Sequence, residues 1–456
     1  MPGAPPAADR PLVRLLPTVL LGLVLLAAAG LRWHNLRAYT SWDADDGGAH
    51  LAYVTAITEH GRLPTLEETY LAWHEPGYYL VVAAWDALGR WLGVASLDWW
   101  ELLQLLLGLA FVGLVWRVAR RLSSGNRWVA LLVVALFAFL FTGVKLSAYV
   151  TNELAAQLLM LLAVERWLAW RLWQPSDWRR LLAWSALVGV SLLVKLTALI
   201  VLLAALLVWV LRATIQRQPR LLLAAGVSLL VVGALNAPWL AYKQRHFGAA
   251  FSINLHERAN AQPLWRSAGW SYLLAFNPRT FTDQPYWYSR PHSFASILLS
   301  DTFGDHYNLF GNTAAMAQVA PDDRVLTGNG RTTTWLRWQR MPWVNRIGLL
   351  ISLLWLAGIV GSARALVRQR PLDWAKLWAL AVVVGCLAAL VYHNLRFPYL
   401  ERGVLKAAFI YASFPLVAAL ATAWWWQTLR RPWARAVVLG LPVLAYVVVA
   451  WPILWV

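Results

Sequence analysis

Apolar runs recur along nearly the whole chain, and many approach the roughly 20 residues that a helix needs to cross a bilayer. Dividing chain length by domain size is therefore the wrong arithmetic, and the pattern reads as an all-α polytopic membrane protein. Composition agrees: 60% of the 456 residues are apolar, only 14% are charged and mean hydropathy is +0.52. A soluble enzyme would carry about 25% charge, and a disordered chain far less apolar surface.

Laid on these runs, about eleven spans are expected, near 12–31, 98–120, 128–148, 150–170, 180–195, 196–211, 220–242, 345–366, 374–392, 404–425 and 433–454. The net charge of +18 then finds a topological explanation. With the N-terminus inside, the short cytoplasmic loops collect half of the 40 Lys and Arg but only 4 of the 22 acids. Alternate loops obey the positive-inside rule, and a basic skin on anionic lipid accounts for the charge better than a nucleic-acid groove does.

The run from Leu12 to Leu31 contains Ala27, Ala28 and Ala29, which resemble the cleavage site of a leader, but its apolar length favours a retained span. The single cysteine, Cys386, lies within a predicted span, so no intramolecular disulfide is available. Most of the 31 tryptophans, such as Trp99, Trp100 and Trp424–Trp426, are expected in interfacial belts.

Three segments break the apolar monotony, 32–97, 243–344 and 393–403, and all three fall on the outer side. They divide the chain into a membrane module (1–242) with its first outer loop (32–97), an outer loop of short helices and turns (243–344) and a C-terminal group of spans (345–456). No repeat or low-complexity tract intervenes. Since 18 of the 22 acids collect outside, chemistry is expected on the extracytoplasmic face.

In the first outer loop, Asp43, Asp45 and Asp46 precede a helical pattern running to His60. Asp46, His50, Tyr53 and Ile57 share one stripe at helical spacing, and Asp45, Ala49, Ala52 and Ala56 form its neighbour, which describes a surface helix opened by an acid pair. One Asp is an ordinary helix cap. Three acids within four residues exceed that need, because adjacent carboxylates raise one another's pKa, so a proton-accepting base is expected here. Pro64 ends the helix, and Trp73, His74, Glu75, Pro76, Gly77, Tyr78 and Tyr79 lead into a second surface helix over 77–93, with aromatic faces suited to sugars or lipid headgroups.

Taken in order, these positions resemble the GT-C class of membrane glycosyltransferases, which includes the protein O-mannosyltransferases and the bacterial aminoarabinose transferase. The acid motif Asp45-Asp46 opens the first outer loop, and WHEPGYY at 73–79 is similar to a His-Pro-Pro-Leu-Tyr-Tyr-type segment of that class. YVTNELAAQLL at 149–159 is similar to its second acid motif, with Glu153 where Asp is common. LLVKLTALIVL at 192–202, APWLAYKQRHFG at 237–248 and RGVLKAAFIYASFP at 402–415 resemble later segments. Two departures, Glu75-Pro76-Gly77 in place of a double proline and the longer WDADDGG, leave open which of Asp43, Asp45 and Asp46 is the base.

The resemblance implies an inverting enzyme of the bacterial inner membrane that moves one sugar from a polyprenyl-phosphate donor to a glycan, lipid or peptide acceptor outside the cytoplasm. Asp45 is the first choice of base, Asp46 the second, and Glu153 an orienting acid. Lys195, Arg402 and Lys406 are candidate phosphate ligands, with Lys145 of the same status. His50, His74, Glu75 and Tyr78 are expected near substrate. In the large outer loop, Tyr286, Trp287, Tyr288, Arg290, His292, Asp301, Asp305, His306 and Tyr307 are dense for a connection, and Tyr288, Arg290 and His306 are expected to add substrate contacts. Asp45, Asp46, His50 and His74 include metal-ligand types but match no zinc or EF-hand spacing, so no metal is required, although a divalent cation is compatible. A transferase of preassembled glycans, a flippase and a scaffold are the competing readings.

Overall fold

Among the described residues, eight helices are long and apolar enough to cross a membrane: Leu15–Ala38, Leu97–Leu122, Leu196–Gln216, Arg220–Phe247, Trp335–Arg368, Trp374–Leu395, Ala407–Thr428 and Pro432–Leu454. The computed structural model describes residues 11–44, 46–94, 96–251, 271–286, 293–310, 321–327, 332–369, 371–396 and 406–455. The other three predicted spans are also helices, but by length and composition they fall short of a crossing. The run at 128–148 is divided at Leu140, and the helices near 150–170 and 180–195 have 19 and 17 residues. The protein is an integral membrane protein of helical architecture.

In chain order the helices are α1 (Pro11–Ala38), α2 (Gly47–His60), α3 (Gly77–Trp91), α4 (Ser96–Leu122), α5 (Arg127–Phe139), α6 (Phe141–Leu146), α7 (Asn152–Trp170), α8 (Trp178–Val194), α9 (Leu199–Gln216) and α10 (Arg220–Phe247). There follow α11 (Phe294–Phe303), α12 (Trp335–Arg368), α13 (Trp374–Arg396), α14 (Phe414–Thr428) and α15 (Leu441–Leu454). Packing runs α1 on α4 and α5, α4 on α7, α7 on α8, α8 on α10, and α12 on α14 and α15. The surface helices α2 and α3 form as expected, although α2 stops at Gly61, which takes the left-handed conformation with φ 63°, before Pro64 is reached. The large loop adds one feature absent from an all-helical expectation, an antiparallel pair of β1 (Arg324–Leu326) and β2 (Thr332–Thr334), where β-branched Val325 faces Thr333.

Tryptophan does more than form belts. Trp167 of α7, Trp184 of α8, Trp209 of α9 and Trp378 of α13 are fully buried, with ring centroids of Trp167 at 5.0, 5.0 and 4.8 Å from the other three. Two indoles find acceptors, Trp184 Nε1 donating to Ala163 O at 2.9 Å and Trp209 Nε1 to Leu172 O at 2.7 Å. Leu172 lies just beyond the end of α7, where helical carbonyls lack intrahelical partners, so an inward indole is as well satisfied there as one at the lipid surface. On the same side Glu165 of α7, fully buried, accepts from Arg121 at 2.8 Å and faces Arg117 at 2.9 Å, which fastens α7 to α4.

The opposite side is built from interruptions. Leu140 is extended between α5 and α6, Thr151 is extended before α7, Lys195 is extended after α8, and Lys406 opens a 3-10 stretch, Ala407–Ser413, that contains non-helical Ile410. Broken helices leave backbone groups that need partners, and side chains supply them: Thr151 Oγ1 accepts from Glu153 N at 3.3 Å, and Gln157 Oε1 accepts from Ala412 N at 2.8 Å.

Close helix contact generates a test. A Cβ at Gly358 of α12 would lie 2.6 Å from the Ala421 Cα and 2.9 Å from its carbonyl oxygen on α14, and backbone cannot swing aside. Gly358→Ala is expected to destabilise by about 1–3 kcal/mol through forced separation of the two helices, read as a lower thermal midpoint in detergent. Gly22→Ala, with nothing within 4 Å, should leave it unchanged, and an equal midpoint for both variants would contradict this packing.

Candidate active site

The acid segment is held by a carboxylate inside a span. Ser41 sits in the short turn Ser41–Asp43, and both its N–H and its Oγ donate to Glu101 Oε1 of α4 at 2.8 Å. Its Oγ in turn accepts from Val150 N at 2.9 Å. One serine therefore joins the acid segment, α4 and the residues that open α7.

Asp46 follows, at the start of α2. Its side chain makes no capping bond to the helix. Instead Oδ2 accepts from Lys406 Nζ at 2.8 Å, across 360 positions of sequence, and Oδ1 accepts from the Tyr70 hydroxyl at 2.7 Å. The Lys406 charge holds the carboxyl well below the usual carboxylate range, the hydrogen bonds from Lys406 and Tyr70 add to this, and burial opposes it. The Asp46 side chain is nevertheless 40% exposed, so a substrate can reach it.

A second acid–lysine pair joins Glu153 of α7 to Lys195 at the break after α8. The Lys195 ammonium also lies over the Phe409 ring, 4.9 Å from its centroid, and Phe409 belongs to the same turn that Lys406 opens. Between the pairs stands His50, buried, with Nδ1 2.9 Å from the Tyr79 hydroxyl and Nε2 3.5 Å from Thr151 Oγ1. Burial brings its pKa down to about 4, the Asp46 charge resists, and Lys195 and Lys406 lower it further. His74 is lowered too, chiefly by burial and then by Lys195, and its Nδ1 lies 3.4 Å from Asn152 Nδ2.

Other predicted residues take structural positions. Buried Glu75 faces Lys243 at 3.6 Å, which ties the first loop to the end of α10, and burial raises its pKa against the pull of Lys243. The Tyr78 hydroxyl is buried and accepts from Gln104. Lys145 is spent on Asp301 at 2.7 Å, and Asp301 Oδ2 also accepts from Ala407 N at 2.7 Å, so the outer-loop helix α11 sets the position of the Lys406 turn. His306 is fully buried against Tyr307 at 4.9 Å between centroids. Asp305 accepts from Leu309 N and Phe310 N at 2.7 and 2.9 Å and closes a turn, while Tyr286 is buried beside Trp338. Asp45, Trp287, Tyr288, Arg290, His292 and Arg402 lie outside the described residues. Among the described residues no group of three His, Cys, Asp or Glu gathers as a metal site.

The architecture has a counterpart among solved structures. The archaeal oligosaccharyltransferase AglB from Archaeoglobus fulgidus, in complex with an inhibitory peptide and a dolichol-phosphate, matches 98% of this chain and 56% of its own at 14% identity, with a TM-score of 0.54. This protein has the GT-C fold. Residues 76–241, roughly a third of the chain, also match the profile of the family described as dolichyl-phosphate-mannose-protein mannosyltransferase. ArnT from Cupriavidus metallidurans bound to undecaprenyl phosphate is similar over 89% of this chain and 76% of its own at 14% identity, TM-score 0.38. The S. cerevisiae protein O-mannosyltransferase complex bound to the sugar donor is similar over 57% and 38% at 19% identity, TM-score 0.40. The chain spans about half the length of the archaeal oligosaccharyltransferases that share the GT-C fold. No curated protein sequence matches it significantly.

The His50 environment makes a pH prediction. Its neutral form persists above pH 4, so nitrogen-15 NMR of labelled histidine should show His50 titrating near 4 instead of near 6.5. Lys406→Ala removes a charge that lowers this pKa and should move the midpoint upward. A midpoint near 6.5 in the unmodified protein would contradict the buried, doubly lysine-flanked setting.

Proposed function

We propose that the protein is an inverting glycosyltransferase that moves a single sugar from a polyprenyl-phosphate donor to an acceptor hydroxyl on the membrane face where Asp46 and Lys406 meet. One observation carries this reading: two lysines from separate segments, each paired to a carboxylate, both act on the buried His50. The described relatives lend support, since the mannosyltransferase family is named for a dolichyl-phosphate donor and the archaeal GT-C structure holds a dolichol-phosphate.

In this mechanism the donor phosphate draws Lys406 and Lys195 toward itself, because one phosphodiester can accept from both ammonium groups at once and its charge grows from one toward two as the glycosyl bond breaks. Asp46, relieved of the Lys406 charge, regains basicity. It then takes the proton from the acceptor hydroxyl as that oxygen attacks the anomeric carbon. The bond from the anomeric carbon to the phosphate oxygen breaks, and its electron pair stays on the lipid phosphate, where the lysines neutralise it. The phosphate needs no proton to leave. Exposure favours Asp46 over Glu153 as the base, since the Asp46 side chain is 40% exposed and that of Glu153 only 11%.

The test is release of free polyprenyl phosphate from a panel of polyprenyl-phosphate sugars, followed by mass spectrometry with purified protein and a crude membrane acceptor. Asp46→Asn should lower turnover by about 100-fold or more, the usual scale for losing a general base. Lys406→Ala should chiefly raise the donor KM, by about tenfold. Wild-type turnover by Asp46→Asn together with a loss in Asp45→Asn would transfer the base to Asp45. Absence of release from every donor by the folded wild-type protein would sink the reading.

A further inference from the structure

α12 is longer than a membrane requires. Its 34 residues extend about 50 Å, against a hydrocarbon thickness of about 30 Å. No charge occurs between Arg346 and Arg364, so that stretch crosses the apolar core and the turns from Trp335 to Arg346 stand above it, on the side that carries the outer loop. These turns border a groove of about 530 Å³ lined by Thr282, Trp335, Trp338, Arg340, Trp343 and Arg346, among others.

The groove's chemistry is one-signed. Among the described residues no acid lines it, and neither Arg340 nor Arg346 has a carboxylate partner. Arg346 is held in place by its Nε bond to Phe281 O at 2.9 Å and by the Trp343 ring at 4.4 Å, which leaves its guanidinium edge to face outward. Below the groove the same face continues at helical spacing through exposed Leu350, Leu353, Leu356 and Val360. A polar, cationic upper part over a lipid-exposed aliphatic stripe is complementary to one kind of molecule, with an anionic head and long acyl chains. α12 packs on α11, α14, α15 and the Pro278–Phe281 turn, while the acid–lysine pairs are held by α2, α7 and the Lys406 turn, so this is a separate location.

We propose that the Trp335–Arg346 turns form a binding site for the phosphate headgroup of an anionic membrane lipid, whose acyl chains lie along Leu350, Leu353 and Leu356. Arg340 and Arg346 neutralise the phosphate, and the indoles of Trp335 and Trp343 lie at the depth of the glycerol backbone. The site needs no sugar transfer to operate.

The experiment uses the full protein reconstituted in vesicles with a phosphatidylglycerol carrying a photoreactive headgroup, and peptide mass spectrometry reads crosslinking to 335–346. Labelling of that segment should be suppressed by unlabelled phosphatidylglycerol and much less by phosphatidylcholine. At sub-saturating probe it should fall about tenfold in Arg340→Gln/Arg346→Gln, the scale of losing charged hydrogen bonds. Arg340→Gln alone, at an exposed side chain, keeps the native thermal midpoint and should show a partial loss. Unchanged labelling in both variants, or equal competition by phosphatidylcholine, would overturn the site and leave ordinary boundary lipid. Competition by soluble glycerol phosphate as strong as by phosphatidylglycerol would overturn the lipid assignment in favour of a free phosphate ligand.

Discussion

A helix that breaks at the edge of a bilayer must give every freed backbone group and every nearby charge a partner, and the structure on the site side is organised by that requirement. The breaks at Leu140, Thr151, Lys195 and Lys406 bring four chain ends toward one another. Each is tied by a side chain from another element: Tyr446 donates to Phe303 O at 2.7 Å and accepts from Phe141 N at 3.1 Å, and Asp301 bridges Lys145 and Ala407. Charge is balanced locally in the same way, acid by lysine. The resulting mouth is polar, pre-organised and nearly neutral in sum.

That pairing offsets the cost of two lysines near a membrane. A lone ammonium in such a place is costly, and a carboxylate partner offsets the cost while remaining exchangeable. In the proposed mechanism Asp46 is the exchangeable member, because it is partly exposed and its partner Lys406 starts a short, irregular turn. The Lys145–Asp301 pair is the opposite case. It is almost fully buried, its second carboxylate oxygen is taken by a backbone amide, and its role is to hold the outer-loop helix against the core. Two ion pairs of the same composition thus have different roles, set by exposure and by the second hydrogen bond.

Much of the architecture was legible because hydrophobic length and alternating loop charge are local signals. Eight of the eleven expected spans, the helices α2 and α3, and the position of Asp46, Glu153, Lys195 and Lys406 at helix ends all followed from runs and motifs. What was not legible depends on contacts between distant segments. Nothing local marks Asp46 for Lys406, 360 residues away, or assigns Lys145 to Asp301 across 156. Tyr78 and His306 look like substrate contacts by residue type, yet both are buried in packing. The inward tryptophans misled for a related reason, since proximity to a helix end does not say which way the ring faces. Glu101 did carry a usable signal: a carboxylate four residues into an apolar span has to find donors, and Ser41 is where it finds them.

In the proposed mechanism lipid phosphate competes with Asp46 for Lys406. Carbon-13 NMR of aspartate-labelled protein, with the Asp46 signal assigned by its loss in Asp46→Asn, measures this directly as a titration with and without a sugar-free polyprenyl phosphate. Bound lipid phosphate should move the Asp46 midpoint upward, toward an ordinary carboxylate. A midpoint that stays depressed while phosphorus-31 NMR shows the lipid bound would contradict it.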